Sequence, residues 1–235
     1  MAALDNPLIR KGMTAQLAAR RARIAAGEKP LGWKVGFGAP VAMQKLGLTA
    51  PLTGYLMQKA LLPSGSAVSL KTYVRPVAEP EIAVRMARDL GGGATADAAL
   101  AAVKEITPAI ELADLDLAPE RDNIDAILAG DIFQRQVLLG DQARAGGSVA
   151  GLTSRVTRRG REINRTGDPE ALTGKLADIV AHVANTLAAF GEKLAAGDII
   201  IAGSITPPLM LEPDDTGLVH ALDPIGAVSV ALTRT

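Results

Sequence analysis

The stretch that most constrains this chain is residues 75–90, which read RPVAEPEIAVRMARDL. Ile82 and Val84 alternate with polar or small neighbours, and this period of two is typical of a β-strand. Because residues i and i+2 of a strand point to the same face, we expect Glu79 and Glu81 to project side by side. Two carboxylates at that spacing repel each other, so either one takes up a proton or a positive charge lies between them.

A third carboxylate follows in the next apolar run. Glu111 lies 30 residues after Glu81, within PAIELADLDL. An apolar strand rarely buries a glutamate without a partner. If the two strands bring Glu79, Glu81 and Glu111 together, they form an oxygen-only site suited to a hard divalent cation, Mg²⁺ or Mn²⁺. The alternative interpretation is a solvent-facing strand whose carboxylates lie in water.

Composition limits the classes of function. The 235 residues are 48% hydrophobic, which is enough for one large domain, but only 3% are aromatic, so the core has to be built from Ala, Leu, Ile and Val. Lys plus Arg and Asp plus Glu number 25 each, so the chain has no basic excess to hold a phosphate backbone. We therefore expect no nucleic-acid partner.

The chain has no cysteine, which excludes disulfides, thiolate metal ligands and a cysteine nucleophile. The first 30 residues contain no apolar signal region, and no run reaches the roughly 18 apolar residues of a membrane span. We therefore expect a cytoplasmic protein with no membrane segment.

Turn residues at regular intervals, many short strands and few helices predict an α+β fold with a curled, mixed β-sheet roll and peripheral helices. We expect one catalytic domain over residues 1–235, with residues 1–30 as an N-terminal helical appendage. Helices are predicted over residues 6–27, 40–46, about 95–105 and 175–194. The first half of residues 122–140 is predicted to be a helix or a turn. Strands are predicted over residues 32–37, 67–74, 108–115 and 199–202, and in the residues just before Gly140. Two further strands are predicted on either side of Gly160, and two more within 217–233. A Gly- and Pro-rich loop is predicted over 46–57.

Several other polar groups are candidates for a site. Lys34 lies in the short strand GWKVGF, where a lysine either faces water or directs its ammonium into a polar pocket. The strand ending in Gly203-Ser204-Ile205-Thr206 presents hydroxyls and N–H groups that can hold a substrate carboxylate, although a simple strand-ending turn has the same sequence. Of the two histidines, His182 and His220, His182 lies on the predicted late helix and is expected to be a packed or surface residue and not a catalytic base.

Several sequence blocks occur in a specific order: GWKVGF followed by Met43-Gln44 and Leu46-Gly47, EPEIAVRMARDL, PAIELADLDL, LAAFGEKLAAGDIIIAGSITPP and IGAVSVAL. Together they resemble the 2-keto-4-pentenoate hydratase and 4-oxalocrotonate decarboxylase branch of the fumarylacetoacetate hydrolase superfamily. The resemblance implies a mixed β-roll, commonly in a homo-oligomer, and a small 2-oxo acid as substrate. It implies a metal at Glu79, Glu81 and Glu111, with Lys34 and the tip residues Gly203, Ser204 and Thr206 facing the substrate.

The activity that the resemblance implies is that of a lyase. The first hypothesis is a metal-dependent hydratase that converts a 2-hydroxy-2,4-dienoate (2-keto-4-pentenoate type) into a 4-hydroxy-2-oxo acid. The second is decarboxylation of a 2-oxo-enedioate of the 4-oxalocrotonate type, or of oxaloacetate. The third is a relative that binds a ligand without turnover. In the first two, a bound cation stabilises an enolate as a Lewis acid, and Lys34 neutralises the carboxylate or relays a proton.

Three departures from the pattern of this branch concern the substrate side of the site. Gly38 and Ala39 stand where relatives usually have a Thr-Ser pair. The segment YLMQKALLP lacks the acidic residue that family members often carry. Phe133-Gln134-Arg135-Gln136 replaces a small, Asn- and Ser-containing pattern. There is also no His-Glu pair of the kind that the C–C hydrolases use, so hydrolysis ranks lower.

Overall fold

The computed structural model of the protein describes residues 6–115 and 123–234. Residues 1–5 of the predicted appendage, the end of PAIELADLDL and the start of the predicted 122–140 segment lie outside the described residues. The helices are α1 (Pro7–Ala25), α2 (Pro40–Leu46), α3 (Ala96–Ala102), α4 (Ile124–Ala129) and α5 (Leu176–Ala189). The strands are β1 (Pro30–Gly36), β2 (Leu52–Met57), β3 (Leu61–Pro63), β4 (Ala67–Ser69), β5 (Pro76–Met86), β6 (Val103–Asp114), β7 (Gln134–Leu139), β8 (Arg144–Ala145), β9 (Thr153–Arg158), β10 (Arg161–Thr166), β11 (Ile199–Ser204), β12 (Leu209–Met210), β13 (Gly217–Asp223) and β14 (Gly226–Thr233).

Two mixed sheets form the frame of the described chain. The larger has the order β2-β1-β11-β5-β6-β7-β3, with β12 pairing with β5 and β8 with β6. The smaller has the order β10-β9-β13-β14-β4. The β1–β11, β3–β7 and β14–β4 pairs are parallel, and the other pairs are antiparallel. This arrangement confirms the predicted α+β class with a curled mixed sheet.

The central strands of the larger sheet are buried on both faces. One face carries Trp33, Val84 and Ile106, which belong to the main core with helices α1, α4 and α5. The smaller sheet covers the β5–β6 end of that same face, where Ile110 packs with residues such as Val156 and others from β13 and β14. The opposite face carries a smaller cluster of buried aliphatic residues: Leu31, Leu56, Ala83, Ala109, Val137, Ile199 and Ile201.

Helix α1 begins where Asn6 caps it, with Asn6 Oδ1 accepting a hydrogen bond of 2.9 Å from Leu8 N and proline at the first helical position. Its bounds agree with the predicted helix to within two residues. Met13 and Leu17 on its inner face belong to the main core, and the helix packs against α4. The first described segment therefore contributes to the core of the molecule.

Several predicted elements need correction. The predicted loop over residues 46–57 is wrong in its second half, because residues 52–57 form β2 and pair along the whole of β1. The Gly and Pro residues that suggested a loop mark only the turn before this strand. The predicted strand over 67–74 is limited to Ala67–Ser69. Helix α3 ends at Ala102 because β6 begins at Val103, and α5 ends at Ala189, two residues before Gly191 turns the chain with φ +75°.

The other predicted elements are confirmed: the hairpin around Gly160 is formed by β9 and β10, and the two C-terminal strands are β13 and β14. None of the helices in the described ranges is both long enough and apolar enough to cross a membrane.

The contact between α1 and α4 leads to the first prediction. A Cβ on Gly12 would lie 2.7 Å from Leu128 Cβ and 2.9 Å from Asp125 Cα. Alanine is normally better than glycine in a helix by about 1 kcal/mol, but this overlap with backbone outweighs that gain. We expect Gly12→Ala to lower the free energy of unfolding by about 1–2 kcal/mol in urea denaturation.

The matched control is Thr14→Ala, at an exposed position of the same helix, where we expect a change within about 0.5 kcal/mol. A Gly12→Ala protein as stable as the parent would contradict the packing described here.

Candidate metal centre

The pairing of β5 with β6 brings the three predicted carboxylates together. Glu79 pairs directly with Glu111, and Glu81 pairs with Ala109. Residues that face each other across a strand pair point to the same side of the sheet, so the three side chains share one face. One carboxylate oxygen from each of Glu79, Glu81 and Glu111 lies within 4.8 Å of the others. Glu81 and Glu111 are buried, and Glu79 is half-buried.

A β-bulge in β11 adds a backbone donor to this cluster. The β11–β5 register runs regularly to Ile201, shifts, and resumes with Ser204 opposite Glu81. Gly203 lies within the irregularity with φ +90°, a conformation that favours glycine. Its N–H therefore turns out of the ladder and donates a hydrogen bond of 2.7 Å to Glu81 Oε2.

Lys34 supplies a positive charge. It lies in β1 opposite Gly54 of β2 and Ile201 of β11, and its side chain is only 1% exposed. The ammonium donates hydrogen bonds to Glu111 Oε1 and, at 3.2 Å, to the carbonyl of Ile132. Of the two interpretations of Lys34, the structure excludes a side chain that faces water.

The electrostatics of the cluster follow from burial and from the imbalance of charge. Burial raises the pKa of Glu79, Glu81 and Glu111, that of Glu111 to about 7. For Glu81 the repulsion by Glu111 and Glu79 adds to the effect of burial. Burial lowers the pKa of Lys34, but the attraction of Glu111, Glu79 and Glu81 outweighs it and leaves that pKa raised. One ammonium for three carboxylates leaves a deficit of positive charge.

The donor set fits a hard divalent cation. All three ligands are carboxylates, which Mg²⁺ and Mn²⁺ prefer to nitrogen or sulfur. Glu111 Oε2 is buried and has no hydrogen-bond partner among the described residues. Buried acceptors without a donor are rare in folded proteins, and a bound cation is one way in which such an oxygen is satisfied.

A cavity of about 240 Å³ opens beside Glu79. Gly203, Ser204 and Thr206 line it, so the predicted tip residues and one of the carboxylates face the same space. The hydroxyl of Thr206 lies 3.1 Å from Pro207 O, and that of Ser204 lies 3.5 Å from Pro80 O. Lys34 is not among the lining residues; it lies behind the carboxylates.

Asp131 is a further buried acid that the sequence analysis does not identify. Its Oδ1 accepts hydrogen bonds from Tyr55 N at 2.8 Å and from Gln16 Nε2 at 3.3 Å. Asp131, Ile132 and Phe133 all have positive φ, between 50° and 65°. The only signal in the sequence is an acidic residue after Gly130, between two apolar runs.

Both histidines lie close to backbone carbonyl oxygens. His220 is fully buried, with Nδ1 3.0 Å from Ala109 O and Nε2 3.1 Å from Ser154 Oγ, and burial lowers its pKa to about 4. His182 lies 2.9 Å from Pro51 O. Neither histidine lines the cavity.

The burial of Asp131 predicts a dependence of stability on pH. Burial raises the pKa of Asp131 to about 8, so the folded chain holds a proton that the unfolded chain releases above about pH 4. This contribution to stability is complete below about pH 4 and is lost as the pH rises through about 8. Asp131→Asn stays neutral and keeps the acceptor for Tyr55 N. With a chelator present, we expect the stability advantage of the variant over the parent to be larger at pH 9 than at pH 5 by about 2–4 kcal/mol.

Urea denaturation at both pH values measures this difference, with the exposed Asp141→Asn as control. Equal effects of Asp131→Asn at pH 5 and pH 9 would show that this carboxyl does not titrate abnormally.

Comparison with known proteins agrees with this architecture. The fumarylacetoacetate (FAA) hydrolase C-terminal family matches residues 36–232. A 2-hydroxyhexa-2,4-dienoate hydratase of Comamonas testosteroni is 32% identical over 192 residues, covering 80% of this chain and 72% of that protein. A 4-oxalocrotonate decarboxylase of a Pseudomonas species is 28% identical over 191 residues, covering 81% and 74%. A solved structure of 4-oxalocrotonate decarboxylase from Pseudomonas putida G7, complexed with magnesium and adipate, superposes with a TM-score of 0.86 at 24% identity, covering 96% of this chain and 86% of that one. The predicted resemblance is thus confirmed, and the chain belongs to the fumarylacetoacetate hydrolase C-terminal family.

Proposed function

We propose that this protein is a lyase that uses a divalent metal to hydrate a 2-hydroxy-2,4-dienoate to a 4-hydroxy-2-oxo acid. The observation that carries the proposal is the convergence of Glu79, Glu81 and Glu111 beside the cavity that the Gly203–Thr206 tip also lines. The 32% identical hydratase relative supports the choice of reaction.

Glu79, Glu81 and Glu111 would hold Mg²⁺ or Mn²⁺, which when bound supplies Lewis acidity toward the carboxylate and 2-oxo oxygens of a small 2-oxo acid. The chain itself prepares this site. Lys34 holds Glu111 and offsets part of the negative charge of the cluster, and Gly203 N–H holds Glu81.

The residues at the end of β11 have two different roles. The N–H of Gly203 already donates to Glu81, so Gly203 positions that carboxylate. The hydroxyls of Ser204 and Thr206 now donate to the carbonyls of Pro80 and Pro207, and on rotation they would bind and orient the substrate carboxylate in the cavity.

Hydration of the simplest dienoate adds one water without any redox change. The C2 hydroxyl gives up its proton as C5 gains one, water oxygen bonds to C4, and C3 gains a proton as the second double bond is consumed. The product is 4-hydroxy-2-oxopentanoate. Lys34 is the buried cation nearest the cluster, so we assign to it the stabilisation of negative charge during these proton movements.

Decarboxylation of a 2-oxo-enedioate is the second candidate, because a 28% identical relative is a 4-oxalocrotonate decarboxylase. Release of CO₂ from that substrate, or from oxaloacetate, separates the two reactions. Binding of Mn²⁺ without turnover on either class of acid would favour a ligand-binding protein.

The first test of function is turnover of 2-hydroxypenta-2,4-dienoate, followed by loss of its ultraviolet absorbance. We expect activity with Mg²⁺ or Mn²⁺, none with a chelator, and a fall of more than about 100-fold in Glu111→Gln, because loss of even a group that only supports a metal ligand costs 10–100-fold. The matched control is Glu105→Gln on the same strand, whose carboxylate pairs with Arg85 at the surface.

Activity that is indifferent to the chelator, or that survives Glu111→Gln, would refute the proposed reaction centre.

The metal site itself can be tested without turnover. A ligand at 100 times its Kd stabilises the folded state by about 2.7 kcal/mol, which is a rise in Tm of roughly 5–10 °C for a chain of this length. We expect this rise with Mn²⁺ for the parent and for Glu105→Gln, and little or none for Glu81→Gln. Equal shifts in all three proteins would place the cation elsewhere.

We also propose that residues 1–235 act as one catalytic domain and that the protein assembles as a homo-oligomer. Exposed apolar side chains support the second point, since Val74 is 70% exposed and Met210, paired to β5 nearby, is 43% exposed. Light scattering coupled to size-exclusion chromatography gives the subunit number. The cytoplasmic location stays a prediction.

A further inference from the structure

The cavity beside the carboxylates has two chemically different parts. One part is polar and contains Glu79, Ser204 and Thr206. Among the described residues, the remaining wall is apolar apart from Thr173, with Phe37 and Phe133 as its largest side chains. No lysine, arginine or histidine is among the described residues that line it.

The two phenylalanines form a distinct feature of this wall. They are two of only three in the chain, and their ring centroids lie 6.2 Å apart at an angle of 57°. Both adopt positive φ, 58° for Phe37 and 65° for Phe133, which is uncommon for a bulky residue. Backbone strain of this kind persists where surrounding structure enforces it, and it clusters at ligand sites.

The neighbouring positions are small. Ala39, Ala42 and Ala113 line the same cavity, as does Gly38. Gly38 and Ala39 present only hydrogen and methyl to this wall, and Phe133 presents an aromatic ring. These residues make this part of the wall apolar.

We propose that this wall selects an uncharged, apolar substrate tail, with Phe37 and Phe133 as specificity-determining residues. The inference rests on the proposed hydratase function and narrows its substrate to 2-hydroxy-2,4-dienoates that end in hydrogen or a short alkyl group. A dienoate with a second carboxylate is a poor substrate, because a carboxylate placed against apolar walls loses its hydration without gaining a partner.

The apolar wall also favours hydration over decarboxylation as the reaction of this site. A 2-oxo-enedioate carries a carboxylate at each end, and the polar part of the cavity provides for one of them. In the hydration of a monocarboxylate, the chain beyond C4 consists of carbon and hydrogen alone and can pack against Phe37 and Phe133.

The test compares kcat/KM for 2-hydroxypenta-, hexa- and hepta-2,4-dienoate with that for 2-hydroxyhexa-2,4-dienedioate, whose terminal carboxylate is similar in size to the ethyl group of the heptadienoate. We expect kcat/KM to rise roughly fourfold per methylene group while the tail fits the wall. We expect the dienedioate to be worse than the heptadienoate by about 100-fold or more, with no CO₂ released.

Phe133→Asn tests the wall directly, because asparagine tolerates positive φ and removes the aromatic surface. We expect a fall of roughly tenfold in kcat/KM for the heptadienoate and less than about threefold for the pentadienoate, so that the preference for long tails disappears. The matched control is Phe190→Asn, since Phe190 stacks with Arg10 and does not line the cavity.

A flat response to tail length, comparable turnover of the dienedioate, or equal effects of Phe133→Asn and Phe190→Asn would overturn the proposal. If no dienoate is turned over, the proposed function fails, and calorimetry with Mn²⁺ and saturated 2-oxo acids still decides the tail preference. Tighter binding of 2-oxoheptanoate than of 2-oxobutanoate and of 2-oxoadipate supports the apolar wall, and the opposite order excludes it.

Discussion

Mutual repulsion between three carboxylates, two of them buried and one half-buried, is the constraint around which this molecule is built. Glu79, Glu81 and Glu111 lie on one face of the β5–β6 pair, and the ladder holds them there whether or not they attract one another. Moving a charge out of water costs several kcal/mol even after relaxation, so the cluster does not stabilise the fold. Lys34 offsets part of this cost, and the Gly203 N–H offsets a little more. The rest of the structure therefore has to compensate for the unfavourable free energy of burying the cluster.

The larger sheet provides this compensation through burial on both faces. Helices and the smaller sheet cover one face with aliphatic side chains, while Ala83, Ala109 and Ile201 pack around the charged cluster on the other. The carboxylates therefore project from long, paired strands, which suits a site whose ligands have to hold their positions. Phe37 and Phe133 of the cavity wall lie outside the strands, in segments whose sequence can change with less effect on the charged centre.

The sequence predicts the charged half of the site better than the apolar half. Period-two alternation places Glu79 and Glu81 on one face, and the improbability of a lone buried glutamate points to Glu111, although no local pattern sets the register that pairs it with Glu79. Strand β2 is not predicted for two reasons. Glycine and proline dominate the sequence around it, and its pairing with β1 is a tertiary contact that the local sequence does not show. Asp131 and Phe133 escape prediction because positive φ at residues other than glycine leaves no mark on composition or periodicity.

The left-handed run from Asp131 to Phe133 also bears on how this protein tolerates change. Three consecutive residues other than glycine in that region cost of order 1–3 kcal/mol each, a large share of the marginal stability of a typical domain. Glycine or asparagine at Ile132 or Phe133 would relieve part of this cost, so selection for stability would tend to replace these two residues first. If Phe133 reads the substrate tail as proposed, thermal stability and substrate discrimination are opposed in this one segment, and a variant chosen for stability would lose discrimination while keeping the fold.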